Sequence, residues 1–129
     1  MPGDEREVDI LAFRFYGTRI AGPRGDSASL IFCTGDGSQT TERDRLVFIL
    51  SRREGGGVVL RRVAPIDEHG EAEVALSHEE TKRLTPGLYY WSVRYVLDAV
   101  TDEQGNIASG TWVDTLWRNC EFEVLEVNG

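Results

Sequence analysis

Alternation of apolar and polar positions is most regular over Leu84-Thr85-Pro86-Gly87-Leu88-Tyr89-Tyr90-Trp91-Ser92-Val93-Arg94-Tyr95-Val96. From Tyr89 onward, Tyr89, Trp91, Val93 and Tyr95 fall on one face, and Tyr90, Ser92, Arg94 and Val96 on the other, the period of a half-buried strand. The first face is the heavier and is assigned to the core. Pro86 pre-sets φ for the first central position of a turn and Gly87 tolerates positive φ at the second, so Thr85 to Leu88 predicts a type II turn.

The same patterning places the other elements. Val8 to Tyr16 predicts a first strand, broken near Leu11-Ala12 and ended by Gly17. The breaker cluster Gly22-Pro23-Arg24-Gly25-Asp26 precedes a second strand over Ser27 to Thr34 with Leu30 and Phe32 inward, and Gly35 to Thr41 is a polar loop. The apolar run Leu46 to Leu50 suits a central strand, and a Gly55-Gly56-Gly57 turn returns the chain as Val58 to Val63. Ala64-Pro65-Ile66 reads as irregular and Asp67-Glu68-His69-Gly70 as a turn into a short strand with Ala72, Val74 and Leu76 on one side. Ser77 and Glu80 have capping-box spacing and Lys82-Arg83 suit the far end of the macrodipole, so one or two helical turns are expected before Pro86. The polar residues from Asp98 to Asn106 predict a long hairpin connection; Thr111-Trp112-Val113 reads equally as strand or ordered loop. Leu116 to Val127 closes the chain, with Cys120, Phe122 and Val124 inward.

About seven or eight short strands and one brief helix predict an all-β fold, an immunoglobulin-like antiparallel β-sandwich. Parallel α/β folds are excluded for want of crossover helices. The Pro86-Gly87-x-Tyr89 entry to a strand matches the tyrosine corner of such sandwiches, in which a tyrosine hydroxyl ties the corner to backbone just upstream.

With 129 residues, 40% hydrophobic and 28% charged, the chain is expected to form one sandwich domain over 1–129, with 1–7 a flexible N-terminus. Its 22 acidic and 14 basic residues give a formal charge of -8, which argues against nucleic acid as a partner; Arg52-Arg53 and Arg61-Arg62 are too short for a basic stripe. The polar start, Met1 to Glu7, lacks the apolar run of a secretory signal, and no segment has the length and apolarity of a membrane span. Cys33 is expected outward and Cys120 on the apolar face, so two reduced thiols are expected in preference to a disulfide.

Candidate chemistry is sparse, and no catalytic, metal or cofactor-binding residue is assigned. His69 falls in a turn and His78 at a helix start, neither with a Ser, Cys or metal-ligand partner at a motif spacing, and both read as surface histidines. Asp98, Asp102 and Glu103 supply oxygen ligands of the kind Ca²⁺ takes, without EF-hand spacing, and a polar hairpin connection is preferred. Arg24-Gly25-Asp26 spells a tripeptide that some integrin ligands carry, and a turn entering a strand uses Gly-Asp for backbone reasons alone. Trp112, Trp117, Tyr90 and Tyr16 are candidates for solvent-facing aromatics that stack on sugars or fill an interface. Trp117 is out of phase with Cys120 and Phe122, which would place it on the outer face; the competing expectation is aromatics folded under the sandwich edge.

Gly25-Asp26, the strand Leu46 to Leu50, His69-Gly70-Glu71-Ala72-Glu73-Val74, the helix Glu79 to Leu84, Thr85-Pro86-Gly87-Leu88-Tyr89-Tyr90, the Asp-x-x-Gly hairpin and Phe122-Glu123-Val124 occur in an order that resembles the immunoglobulin-like N-terminal domain of the phage baseplate upper protein and related phage and prophage structural proteins. The hairpin between Leu97 and Leu116 is longer than the resemblance implies, and the strand with Phe13 and Phe15 has no counterpart in it. The resemblance implies a non-enzymatic assembly or connector module of a baseplate or tail. Its partners would be other virion proteins and copies of itself, in a particle assembled in the bacterial cytoplasm. A carbohydrate-binding or adhesion module using Tyr90, Trp112 and Trp117 is the alternative.

Overall fold

The computed structural model describes residues 13–33, 42–53, 56–114 and 117–126. It is an all-β sandwich with one short helix, the fold class expected. In chain order the elements are β1 (Arg14–Tyr16), β2 (Arg19–Pro23), β3 (Ala28–Cys33), β4 (Arg45–Arg53), β5 (Gly56–Pro65), β6 (Glu71–Leu76), α1 (His78–Lys82), β7 (Gly87–Thr101), β8 (Ile107–Asp114) and β9 (Cys120–Leu125). The larger sheet has the order β1-β2-β9-β7-β4-β5, with β8 also paired to β7; β3 and β6 form a two-stranded sheet. The described strands number nine rather than seven or eight. One pairing, β2 with β9, is parallel where the expectation was antiparallel throughout.

The core lies between the sheets. β3 and β6 alternate strictly, so Ala28, Leu30 and Phe32 face Ala72, Val74 and Leu76 across the pair and point at the larger sheet. From that sheet come Leu46, Phe48 and Leu50 of β4, Tyr89, Trp91 and Val93 of β7, and Phe122 and Val124 of β9. Trp91 is central: its ring stacks on Phe48 with centroids 6.3 Å apart, and Nε1 donates to the Thr18 carbonyl at 2.9 Å, so a buried indole meets its one polar requirement. Tyr95, assigned to the same face, is only half-buried.

Several expectations are corrected by the observed backbone. The cluster beginning at Gly22 is not a break but the end of β2. Gly22 sits in strand because Phe13 lies across it: a Cβ there would fall 2.3 Å from the Phe13 ring, and Phe13 stacks in turn on Phe122 at 5.3 Å. A glycine in a strand interior here marks close approach of another residue, not a turn. The Thr85 to Leu88 corner is not type II. Gly87 has φ 145°, far from the roughly +80° of that turn, and already belongs to β7. The Thr85 carbonyl accepts the Tyr89 hydroxyl at 2.8 Å, while the Thr85 and Tyr89 hydroxyls lie 3.1 Å apart. Ala64 and Pro65 extend β5 instead of being irregular. The expected residues 8–12, the loop 35–41 and Gly55 of the hairpin turn lie outside the described residues.

The polar stretch after Leu97 is not a long connection either. β7 continues to Thr101 through a bulge, and only Asp102 to Asn106 joins it to β8, with the Asp102 carboxylate accepting the N–H groups of Gln104 and Asn106. The bulge residue Asp98 has φ 52°; its N–H donates to Oδ1 of buried Asp44, Arg43 pairs with its carboxylate, and the Ala99 N–H donates to the Arg43 carbonyl. The extra residue re-aims the strand. Ala99 turns inward with Val96 and Val47 to make a second small core on the outer face, so Val96, expected outward, is fully buried.

The helix forms as its caps predict. Ser77 Oγ accepts the Glu80 N–H at 3.2 Å and Glu80 Oε1 accepts the Ser77 N–H at 3.0 Å. In the preceding turn, the Asp67 carboxyl is held below its ordinary value, chiefly by the N–H of Glu71 and further by that of His69. Its depressed value means that this contribution is present above the ordinary carboxylate range and lost as pH falls through the folded value.

Two substitutions test this architecture. Because Thr85 is exposed, water can replace the lost hydroxyl, so Tyr89→Phe is expected to cost about 0.5–1.5 kcal/mol, read as a lower urea midpoint at unchanged slope; an unaltered midpoint would remove the corner from the account. Gly22→Ala forces a methyl into the Phe13 ring and is expected to cost about 1–3 kcal/mol by the same measurement.

Candidate functional site

Two regions gather side chains with something to offer a ligand or partner. The first is a cavity of about 230 Å³ at one end of the sandwich, lined by Phe15, Thr18, Phe32, Cys33, Trp91 and Trp117 among others. Among the described residues β3 and β6 form a two-stranded sheet, and this end is lined by side chains from β1 and from the segment before β9. Phe32 is the hub of the packing: its ring centroid lies 5.5 Å from Trp91, 5.6 Å from Phe15 and 6.4 Å from Trp117.

Trp117 takes, of the two placements expected for it, the one folded under the sandwich edge. It is half-buried, packed on the core and 6.5 Å from Trp91. The cause is Asn119, whose φ of 55° puts a left-handed residue between Trp117 and the regular part of β9; its N–H donates to Ser92 Oγ. Counting by twos back from Cys120 therefore fails. An Asn at that position is the residue type that reaches such a conformation most readily after glycine, and it was the only signal available.

The second region is the far half of β7 with β8. β4 pairs with β7 only as far as Val96, and beyond that point β7 and β8 form a two-stranded ribbon. Trp112 sits on it opposite Val96, 41% exposed, with the Arg94 guanidinium 4.7 Å from the ring centroid. Leu97, Val100 and Val113 are also exposed on the ribbon, Val100 to 52%. Gly110 lets β8 come close to β7, since a Cβ there would fall 2.4 Å from Val96 Cγ1. Tyr90 is half-buried on the outer face of β7, between Ser51 and Glu121, and is not brought next to Trp112 in the strand register. The three aromatics offered as a sugar platform are thus dispersed: one on the ribbon, one along the sheet, one in the core. Tyr16 is exposed at the end of β1.

Other candidate groups take structural roles. Arg24 Nε donates to the Lys82 carbonyl, the Gly25 N–H donates to Thr81 Oγ1, and Thr81 Oγ1 donates to the Asp26 carbonyl, so Arg24-Gly25-Asp26 is bound to α1 along its length. His78 Nδ1 lies 2.9 Å from the Gly25 carbonyl and His69 is exposed in its turn. Asp98 pairs with Arg43 and Asp102 caps its own hairpin; among the described residues no group of three His, Cys, Asp or Glu is placed to hold a metal. Cys33 and Cys120 are both free thiols, the first exposed and the second half-buried against the core. Burial pushes the Cys120 thiol up, partly opposed by a hydrogen bond with the Thr18 side chain. Burial also pushes the Tyr95 hydroxyl up, with the nearby Cys33 adding to it.

Compared with family models, with curated proteins and with solved structures, the chain matches none.

Because only thiolate reacts, iodoacetamide near pH 8 is expected to alkylate Cys33 first, with Cys120 lagging and catching up as pH rises. Peptide mass spectrometry of the partly labelled chain reads the order, and equal labelling at both sites would contradict the placement of Cys120.

Proposed function

We propose that this chain is a non-enzymatic structural protein of a phage or prophage particle, an assembly or connector module of baseplate or tail type that acts through protein–protein contacts. The observation that carries the reading is the β7–β8 ribbon. Along it Leu97, Val100, Trp112 and Val113 are exposed, with Trp112 opposite Val96 on one face and Val113 opposite Tyr95 on the other, apolar side chains of the kind that interfaces bury. The motif order set out above, from Gly25-Asp26 to Phe122-Glu123-Val124, supports the particle context. So does the sheet architecture, in which, among the described residues, β1 and β5 end the larger sheet with edges that a neighbouring strand can extend.

A carbohydrate-binding or adhesion module is the second reading, favoured by the exposed face of Trp112. The Arg94 stack on that ring is worth only about 0.5–1 kcal/mol at an exposed site, so a sugar could displace it.

Light scattering on the full chain is expected to show a defined oligomer, and Leu97→Lys with Val113→Lys to dissolve it while the circular dichroism of the sandwich is kept. A monomer at all concentrations that also captures none of the particle proteins encoded beside it would sink the assembly reading. Glycan-array binding abolished by Trp112→Ala would establish the second reading in its place.

A further inference from the structure

A groove of about 470 Å³ runs between the edge strand β5 and α1. It is spanned by the ion pair of Arg62 on β5 with Glu80 on α1. Leu60 and Leu84 contribute apolar lining, and the rim carries Arg52, Arg61, Arg62 and Arg83 against a single carboxylate, Glu80. That carboxylate is fully engaged: Oε1 accepts the Ser77 N–H of the capping box and Oε2 pairs with Arg62. Among the described residues no ion pair engages the guanidinium groups of Arg52, Arg61 or Arg83. Arg62 Nε is buried with no hydrogen-bond partner, a donor left over on the groove's own wall. In the β4–β5 register Arg61 and Arg62 stand opposite Ile49 and Phe48, Arg52 lies further along β4 toward the hairpin turn, and Arg83 reaches the same groove from the end of α1. In a chain of formal charge -8 this is a local reversal of sign.

We propose that the β5–α1 groove is a docking site for an extended acidic segment of a partner protein, which adds to β5 as a further strand and sets its carboxylates against Arg52, Arg61, Arg62 and Arg83. β5 has ten residues and, among the described residues, no strand on its outer side, so its backbone offers a ladder of donors and acceptors. Charge selects the occupant. Arginines along an edge repel a second basic edge, which disfavours pairing of β5 with β5 of another copy, whereas an acidic strand gains both the ladder and the ion pairs. The inference rests on the assembly reading and names one of its contact surfaces, separate from the β7–β8 ribbon.

The test uses the full chain and a fluorescein-labelled ten-residue peptide of alternating Glu and Val. Saturable binding is expected by anisotropy, weakening at least ten-fold in R52E/R83E and weakening with added salt, with slowed hydrogen exchange confined to β5 amides in the complex. R52Q/R83Q serves as the milder variant should the double charge reversal disturb the fold by circular dichroism. No saturable binding would overturn the proposal, as would equal affinity for a Lys–Val peptide or for the double variant, or binding with no protection of β5. Tighter binding of oligothymidylate than of the peptide would assign the groove to nucleic acid and overturn it too, and self-association lost in R52E/R83E would assign it to a second copy. Peptide binding by a chain that neither oligomerises nor captures particle proteins would support the groove while overturning the assembly reading, so the two fail separately.

Discussion

Hydrogen bonding along β7 positions every other strand of the larger sheet. On one side it carries β4, and through β4 the edge strand β5; on the other it carries first β9 and then β8, and β9 carries β2 and β1. A fifteen-residue strand is too long to keep a single buried face over its whole course in a domain of this size, and the chain resolves the difficulty at two residues with left-handed backbone. Asn119 is where the second edge of β7 passes between β8 and β9, and Asp98 is where β7 itself bulges. Asp44 makes the second change possible. Its buried carboxyl receives the Asp98 N–H that the bulge takes out of the β-ladder.

The interaction surfaces follow from that division. Before the bulge, β7 has neighbours on both sides and Tyr89 and Trp91 are core; after it, among the described residues, β7 pairs in the sheet with β8 alone, and Val100 remains in solvent. The smaller sheet adds a second asymmetry. Among the described residues only two strands face the larger sheet, Phe15 and Trp117 line the cavity at one end, and a groove lies between β5 and α1.

Much of the fold was legible because alternation reports burial directly. The inward set of β3, β6 and the first half of β7 follows from spacing alone, as do the capping box at Ser77 and the Tyr89 hydroxyl at its corner. The errors share a physical cause, since each lies where a long-range contact overrides a local preference. Gly22 and Pro23 read as breakers because a sequence window does not contain the Phe13 ring that requires a missing side chain. Asp98 and Asn119 are ordinary polar residues until a left-handed φ shifts the phase beyond them: the first turns Ala99 onto the outer face to cover Val96, and the second breaks the count from Cys120 back to Trp117. The basic groove escapes a sequence window for the same reason: Arg52, Arg61, Arg62 and Arg83 line it from β4, β5 and the end of α1.

The parallel pairing of β2 with β9 bears on how the molecule carries load. Ile20 to Pro23 lie beside Phe122 to Leu125 in the same direction, with the chain entering β2 at one end of the pair and leaving β9 at the other. Tension between the two ends of the described chain first meets the short β1–β2 hairpin, whose antiparallel bonds can open one after another. It then pulls β2 and β9 in opposite senses along their common axis. The rungs between them must slide together rather than peel in turn. A module linked at both ends would thus meet an axial pull with its strongest geometry, a clamp loaded in shear.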